Sequence, residues 1–414
     1  MDRVTATYLI ETPLPVEKAA ATLAGEQSSG TFVAVPGETA ELKQRFAARV
    51  EKITELETVA TPALATGRAP AAAYRRAEVV VSWSVENFGP NLPTLVSTLQ
   101  GNLYELAQFS GLKLMDFTLP PSFAVRFRGP QFGIAGSRRL TGVTGRPLIG
   151  TIIKPSIGLS PEQTAAMVKV LIEAGIDFLK DDELMGDPPH SPFDARVDAI
   201  MAVINAHADR TGKKAMYAFN VSAELDPMLR HYDKVVAAGG TCAMLSVNSV
   251  GLTVVKKVCD LGALAIHGHR NGWGMLNRHP LLGMDFPAYQ KLWRLAGVDQ
   301  LHVNGLANKF WESDDSVVRS ISSCLATEPL GKPVLPVVSS GQWGGQASET
   351  WYRTQTVDLL YLAGGGIQAH PDGPAAGVRS LRLWWEAAVE GLTAAQAAAK
   401  YPLLAQSVAK FGGK

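Results

Sequence analysis

Only three cysteines occur in 414 residues, and no two of them have CxxC spacing. Cys242, Cys259 and Cys324 each sit in apolar company, so they read as reduced core thiols and not as a disulfide framework or a thiolate metal site. No apolar run reaches the roughly 20 residues needed to cross a bilayer. The opening stretch Met1-Asp2-Arg3-Val4-Thr5-Ala6-Thr7 lacks an apolar signal core, so the expected location is the cytoplasm, with no membrane partner. An excess of either charge is missing too, since 39 Lys and Arg face 38 Asp and Glu for a net charge of +1. That balance provides no field to gather nucleic acid. With 46% hydrophobic and 19% charged residues the composition is globular, which excludes wholesale disorder and collagen-like repeats. At about 150 residues per domain, the length predicts two or three domains.

Two regions separate, at about residue 140. In residues 1–140 short stretches alternate with period two. Val4 to Ile10 and Glu78 to Val85 predict strands, while Pro15 to Leu23 and Leu92 to Leu106 have helical spacing. Strands interleaved with two helices predict an α+β domain with helices on one face of an antiparallel sheet. The Ala-, Pro- and Thr-rich stretch Ala60 to Ala73 reads as a loop. In residues 141–414 a short apolar run followed by an amphipathic stretch repeats. The runs are Pro147–Lys154, Ile176–Lys180, Ala215–Asn220, Cys242–Val247, Ala263–His269, Gln300–Val303, Val334–Ser339 and Leu359–Leu362. Eight alternations, with helices such as Pro161–Ala174, Phe193–Arg210, Asp285–Ala296 and Pro374–Glu390, predict a (β/α)8 barrel with a C-terminal helical tail. A doubly wound open sheet is the structural rival, but it rarely needs so many repeats.

A barrel requires its chemistry at the C-terminal ends of the strands. Lys154 ends the first run, Lys180-Asp181-Asp182-Glu183 the second, Asn220 the third and His267-Gly268-His269-Arg270 the fifth. His302 ends the sixth, Ser339-Ser340-Gly341 the seventh, and Gly364-Gly365-Gly366 follows the eighth. Alternation along a strand points Lys180 and Asp182 the same way, with Glu183 following as the chain turns. Two converging carboxylates suit Mg²⁺. An ammonium repels a cation, so Lys180 becomes a ligand only as an anionic carbamate formed with CO₂; a Lys–Asp/Glu ion-pair cluster is the plainer alternative. Glycines after the seventh and eighth strands suit a phosphate, although a lone Gly triplet also serves as a turn. Arg270 and His302 suit a second anionic group. Gly305-Leu306-Ala307-Asn308-Lys309 fits a hinged lid bearing a cation, or else a solvated loop.

These motifs together resemble the ribulose bisphosphate carboxylase (RuBisCO) large-subunit family. The resemblance is carried by Gly150-Thr151-Ile152-Ile153-Lys154-Pro155, Gly175 to Glu183, the His-x-His-Arg run, the loop lysine, the Gly triplet, and in the first region Glu26 to Phe32 and Gly101-Asn102. It implies a ferredoxin-like α+β domain before the barrel. It further implies that Lys180 is carbamylated and binds Mg²⁺ with Asp182 and Glu183, that Lys154 moves protons at the substrate, and that His269 is a site histidine. By the same resemblance Arg270, His302 and Ser339 grip one phosphate, Thr31, Gly341, Gly364 and Gly365 form the other phosphate site, and Lys309 is the mobile-loop lysine. Glu26 and Asn102 match residues that reach the partner subunit's barrel, which implies a homodimer with shared active sites.

Departures from the carboxylase pattern set the expected activity. Ser156 stands where a second lysine is expected, Trp273 where a second site histidine is expected, and Ile152 in place of a substrate-contacting threonine. Phe32 replaces a tryptophan and Ser340 a glycine. The chain therefore resembles the RuBisCO-like proteins, the fourth form of the family, which do not fix CO₂. The retained groups suit enediolate chemistry on a phosphorylated keto-sugar or keto-acid. The 2,3-diketo-5-methylthiopentyl 1-phosphate enolases resemble the chain overall, but they carry a Gly-Lys pair where Gly101-Asn102 stands and lack the His269-Arg270 pair. An isomerase of 5-methylthioribulose 1-phosphate remains open. The enzymes that decarboxylate or cleave the carboxylate of 3-oxo-isoapionate 4-phosphate keep more carboxylase-like sites and are placed first. A retired site in a sugar-phosphate binding protein is the alternative outside enzymes.

Overall fold

The computed structural model describes residues 2–30, 35–65, 71–327 and 330–413. Among them the strands are, in chain order, β1 (Arg3–Thr12), β2 (Arg49–Val59), β3 (Tyr74–Ser84), β4 (Gly111–Thr118), β5 (Leu148–Ile152), β6 (Phe178–Lys180), β7 (Met216–Asn220), β8 (Cys242–Ser246), β9 (Ala265–His269), β10 (Leu282–Met284), β11 (Gln300–Asn304), β12 (Leu335–Ser339) and β13 (Leu360–Leu362). The chain forms two compact units. One comprises residues 1–128, 272–296 and 327–331, the other 129–271, 297–326 and 332–414. No helix among the described residues is long and apolar enough to cross a membrane.

The first unit is built on a five-stranded sheet in the order β10-β4-β1-β3-β2, antiparallel except where β10 joins β4. Alternation dictates its inner face: Val4, Ala6, Tyr8 and Ile10 of β1 are buried, as are Val79, Val81 and Trp83 of β3. The sequence concealed three strands, β2, β4 and the three-residue β10. β2 reads Arg-Val-Glu-Lys-Ile-Thr-Glu-Leu-Glu-Thr-Val and buries no residue, so as a charged edge it has no apolar face to reveal it. β4 pairs with β1 through a register shift at Thr7/Tyr8, which breaks its period. A short helix, Ala40–Phe46, also went unexpected and buries nothing. The helix expected to reach Leu106 ends at Leu99, because Gly101 turns the chain at a φ of +40°. A Cβ at Gly101 would lie 2.7 Å from the Ser97 carbonyl oxygen, so the turn favours glycine there.

In the second unit the eight predicted runs form a closed parallel barrel, β11-β12-β13-β5-β6-β7-β8-β9. The open-sheet alternative is therefore excluded. Inward positions recur every second residue. Leu148, Phe178, Met216, Ala218, Cys242, Met244, Ala265, Leu335, Val337, Leu360 and Leu362 form one buried cluster. Continuing the same faces toward the C-terminal strand ends gives Lys180, Asn220, His267, His269, His302 and Ser339. Apolar packing thus occupies the lower barrel and polar groups the upper end.

The chain enters the barrel through the helix Gly133–Thr141, tied by Asp299. Its buried carboxylate accepts from the backbone N–H groups of Phe132 (2.6 Å), Gly133 (2.9 Å) and Ile266 (2.8 Å). Asp299→Ala leaves these donors without a partner, and should lower unfolding free energy by about 3 kcal/mol or more. Urea denaturation followed by circular dichroism measures the loss; an unchanged midpoint would remove this tie.

Candidate active site

The turn after β6 is organised by one buried carboxylate. Asp181 accepts from the Tyr217 hydroxyl (2.6 Å), the Asn220 backbone N–H (2.9 Å) and the Arg196 guanidinium (3.4 Å). Asn220 donates from its side chain to the carbonyl of Glu183 at 3.2 Å. With Asp181 turned away from the barrel interior toward the helix Phe193–Thr211 and the backbone held, Asp182 and Glu183 face the barrel mouth. The Asp182 carboxylate accepts from Lys154 Nζ at 2.7 Å, and Lys154 Nζ also donates to Ser156 Oγ at 2.6 Å. Burial pushes the Asp182 carboxyl upward, but the hydrogen bonds from Lys154 and Ser156 and the lysine charge outweigh it and hold it below its usual value. Ser156, standing where a second lysine was expected, thus serves as a neutral acceptor for Lys154.

Lys180 is 1% exposed and donates to the carbonyl of Asp181 at 2.6 Å. Burial lowers its amine to a pKa of about 8, despite the opposing charges of Glu183, Asp182 and Asp181. Near neutral pH about a tenth of such an amine is uncharged, against well under a thousandth for a free lysine. Glu183 Oε2 lies 3.5 Å from His269 Nε2. Among the described residues no three His, Cys, Asp or Glu side chains form a metal-sized cluster.

Three imidazoles follow. His269 and His302 have ring centroids 4.4 Å apart, and His302 Nε2 lies 2.8 Å from His267 Nε2. Burial, reinforced by the Lys180 charge, lowers His267 to about 3 and the other two well below the usual histidine value, so all three are neutral. The other end of His267 fixes the tautomers of His267 and His302. Its Nδ1 faces the amide oxygen of Gln300 at 2.9 Å and must donate, so His267 Nε2 accepts and His302 Nε2 donates. His302 Nδ1 then carries a lone pair 3.2 Å from Ser339 Oγ. The neutral His302 brings no charge to an anion here; Arg270 is the cation at this end.

Arg270 is paired with Glu312 at 3.1 Å, and both are buried. Glu312 also accepts from Asn304 (2.6 Å) and Ser316 (2.8 Å), and Asn304 in turn accepts from Ser340 Oγ at 2.6 Å. Ser340 holds a φ of +76°, a conformation that glycine adopts freely, and its bond to Asn304 secures it. Ser339, rather than Ser340, lies beside His302. Lys309 begins above this network: its backbone N–H donates to the Ser340 carbonyl at 3.2 Å, and its exposed ammonium lies 5.2 Å from the Phe310 ring. A Cβ on Gly341 would come within 3.3 Å of the Lys309 side chain, and space beside Gly365 is open.

Lys154, Lys180, Asp182, Glu183, His269, Arg270, His302, Lys309, Ser339, Gly341, Gly364 and Gly365 all belong to the barrel unit. Glu26 and Asn102 belong to the first unit, at the end of the helix Val16–Glu26 and at the turn beside Gln27. Thr31 and Phe32 lie outside the described residues. Trp273, standing where a second site histidine is expected, is buried against Tyr289 and Phe286 in the first unit. The sequence did not indicate Asp181, Glu312 or Gln300 as organising groups. For Gln300 a signal existed, because it shares the inward face of β11 with His302. Glu312 had none, since a loop carries no period.

Known proteins match on both units. The family model for the ribulose bisphosphate carboxylase large chain matches residues 2–123 with its N-terminal domain and residues 133–411 with its catalytic domain. The chain belongs to the RuBisCO large-chain family. Within it, the chain is 52% identical to the 3-oxo-isoapionate-4-phosphate transcarboxylase/hydrolase of Xanthobacter autotrophicus, over 97% of this chain and 98% of the relative. It is 49% identical to the 3-oxo-isoapionate-4-phosphate decarboxylase of Rhizobium etli, over 99% and 98%. A RuBisCO-like protein from Burkholderia fungorum superposes with a TM-score of 0.93 at 44% identity, covering 99% and 100%. The Xanthobacter and Rhizobium relatives are named as enzymes other than ribulose bisphosphate carboxylase.

Two adjacent aspartates in this family member have opposite duties. Asp181→Ala strands the buried Arg196 guanidinium and should cost about 3–5 kcal/mol of stability. Chemical denaturation checks it, and a loss under 1 kcal/mol would deny Asp181 its organising role.

Proposed function

We propose that this chain is a Mg²⁺-dependent RuBisCO-like enzyme that removes the carboxylate of 3-oxo-isoapionate 4-phosphate, as a homodimer with shared active sites. The observation that carries the reading is the Lys154–Asp182 pair beside Glu183 and a buried lysine whose amine is held near pKa 8. The relatives at about 50% identity, named for this substrate, support it over the isomerase and enolase readings.

The donor set fits the metal once Lys180 carries CO₂. A neutral amine is the form that takes up CO₂, and burial supplies it. The resulting carbamate, with Asp182 and Glu183, presents three negative groups of hard oxygen donors. These balance a divalent cation plus the Lys154 ammonium, so the buried charges are paired. Bound there, Mg²⁺ supplies a Lewis acid for the ketone oxygen.

In a 3-oxo acid the bond to the carboxylate lies one carbon from the ketone. When it breaks, the electron pair moves into the ketone as an enediolate, CO₂ departs, and a proton returns to carbon. Lys154 is the group to hold and return that proton, as its ammonium is fixed by Asp182 and Ser156. Arg270 and Ser339 would orient one anionic end of the substrate, while Gly341, Gly364 and Gly365 would surround the other. Lys309 would close over both. Glu26 and Asn102 would complete the site of the partner subunit, which is why the dimer belongs to the reading.

In ¹³C-bicarbonate with Mg²⁺, the protein should show a carbamate carbonyl resonance that Lys180→Ala and apo conditions lack. Glu183→Gln should abolish turnover while retaining the fold; unchanged turnover would remove the metal role. Lys154→Met should slow deuterium exchange into the product by about 10²–10⁴-fold, with substrate binding changed only a few-fold. Equal loss of both would recast Lys154 as a binding contact. Substrate labelled with ¹³C at the carboxylate, followed by NMR, reads the reaction itself: labelled CO₂ or bicarbonate supports it. Tight binding with neither carboxylate loss nor exchange would favour a binding protein.

A further inference from the structure

At the opposite end of the barrel, below the N-terminal ends of β5, β6 and β7, the second unit has a cavity of about 580 Å³. Its volume is in the range of small-molecule sites. Five cations line it, Arg139, Arg146, Lys213, Lys214 and Arg382, against one carboxylate, Asp177. A chain whose net charge is only +1 has gathered this charge at one place.

The cationic wall is held in position. Arg146 donates two hydrogen bonds to Asp177, at 2.5 and 2.9 Å, which fixes its guanidinium and consumes the only acid. Lys214 is anchored to the Gly239 carbonyl at 2.7 Å. Arg382 donates to the carbonyl of Gly175 and lies so close that a Cβ on Gly175 would be 2.9 Å from its nitrogen. Its Nε is buried without a hydrogen-bond partner. Arg139 and Lys213 are exposed at the rim and make no ion pair among the described residues.

Structural demand for cations accounts for part of this charge. Three helices, Gly133–Thr141, Pro161–Glu173 and Phe193–Thr211, end near the cavity, and each C-terminus carries about half a negative charge. Together with Asp177 these offset about half of the five positive charges, leaving a surplus of roughly two to three. We propose that this cavity is a second binding site, separate from the catalytic rim, for a small phosphorylated anion of two or more negative charges. Preformed guanidiniums give planar donors for phosphate oxygens, and the two rim cations close the charge balance.

Inorganic pyrophosphate is the probe, titrated calorimetrically into the full chain at low ionic strength, where such contacts are strongest. Two classes of site are expected, because the catalytic rim also has Arg270. The double substitution Arg139→Ala/Lys213→Ala should weaken one class at least tenfold and leave turnover unchanged. Lys213→Glu should weaken that class further, with the other class untouched. Arg270→Ala should weaken only the class that the double substitution spares. Identical isotherms for the wild type and the double variant, or a single class lost with Arg270→Ala, would overturn the proposal.

Discussion

The closed barrel confines alternate side chains of eight strands to one narrow interior, and every feature of the site follows from that confinement. Lower positions pack Leu, Phe, Met and Val against one another. Upper positions are buried as well, so polar groups placed there feel burial strongly. Lys180 loses proton affinity, and His267, His269 and His302 stay neutral, for this one reason. A lysine on an exposed loop with the same acidic neighbours would remain an ammonium and could not present a nucleophilic amine to CO₂.

Around this interior, polar groups are satisfied in pairs that leave the reactive ones outward. Asp181 absorbs Arg196, Tyr217 and a backbone N–H, so Asp182 and Glu183 are left for the mouth. Glu312 performs a comparable service under Arg270 and Asn304. Gln300 dictates a tautomer two imidazoles away. Buried networks of this kind fix geometry because every unpaired member would be costly.

Substitutions relative to the carboxylase pattern acquire a physical meaning in this setting. Ser156 keeps the partner of Lys154 neutral, and Trp273 has joined the aromatic core of the first unit. Ser340 keeps the backbone conformation expected of a glycine while adding a hydroxyl that binds Asn304. The first two changes remove a charge and a proton carrier without disturbing the barrel, consistent with altered chemistry on a retained frame.

Period-two alternation and apolar runs were enough to predict eight barrel strands, and polar residues at their ends marked Lys154, Lys180, Asp182, Glu183, His269, Arg270, His302 and Ser339 from sequence. Both are local signals, written in neighbouring side chains, so they need no knowledge of the rest of the chain. β2 escaped because a charged edge buries nothing, and β4 because a register shift interrupted its period. The assignment of Asp181 to structure and Asp182 to the mouth, the pairing of Glu312 with Arg270, and the lowered proton affinity of Lys180 were decided only by the folded chain. They depend on burial and on partners 8 to 42 positions away, and no pattern along the sequence encodes which distant groups will share a dry interior.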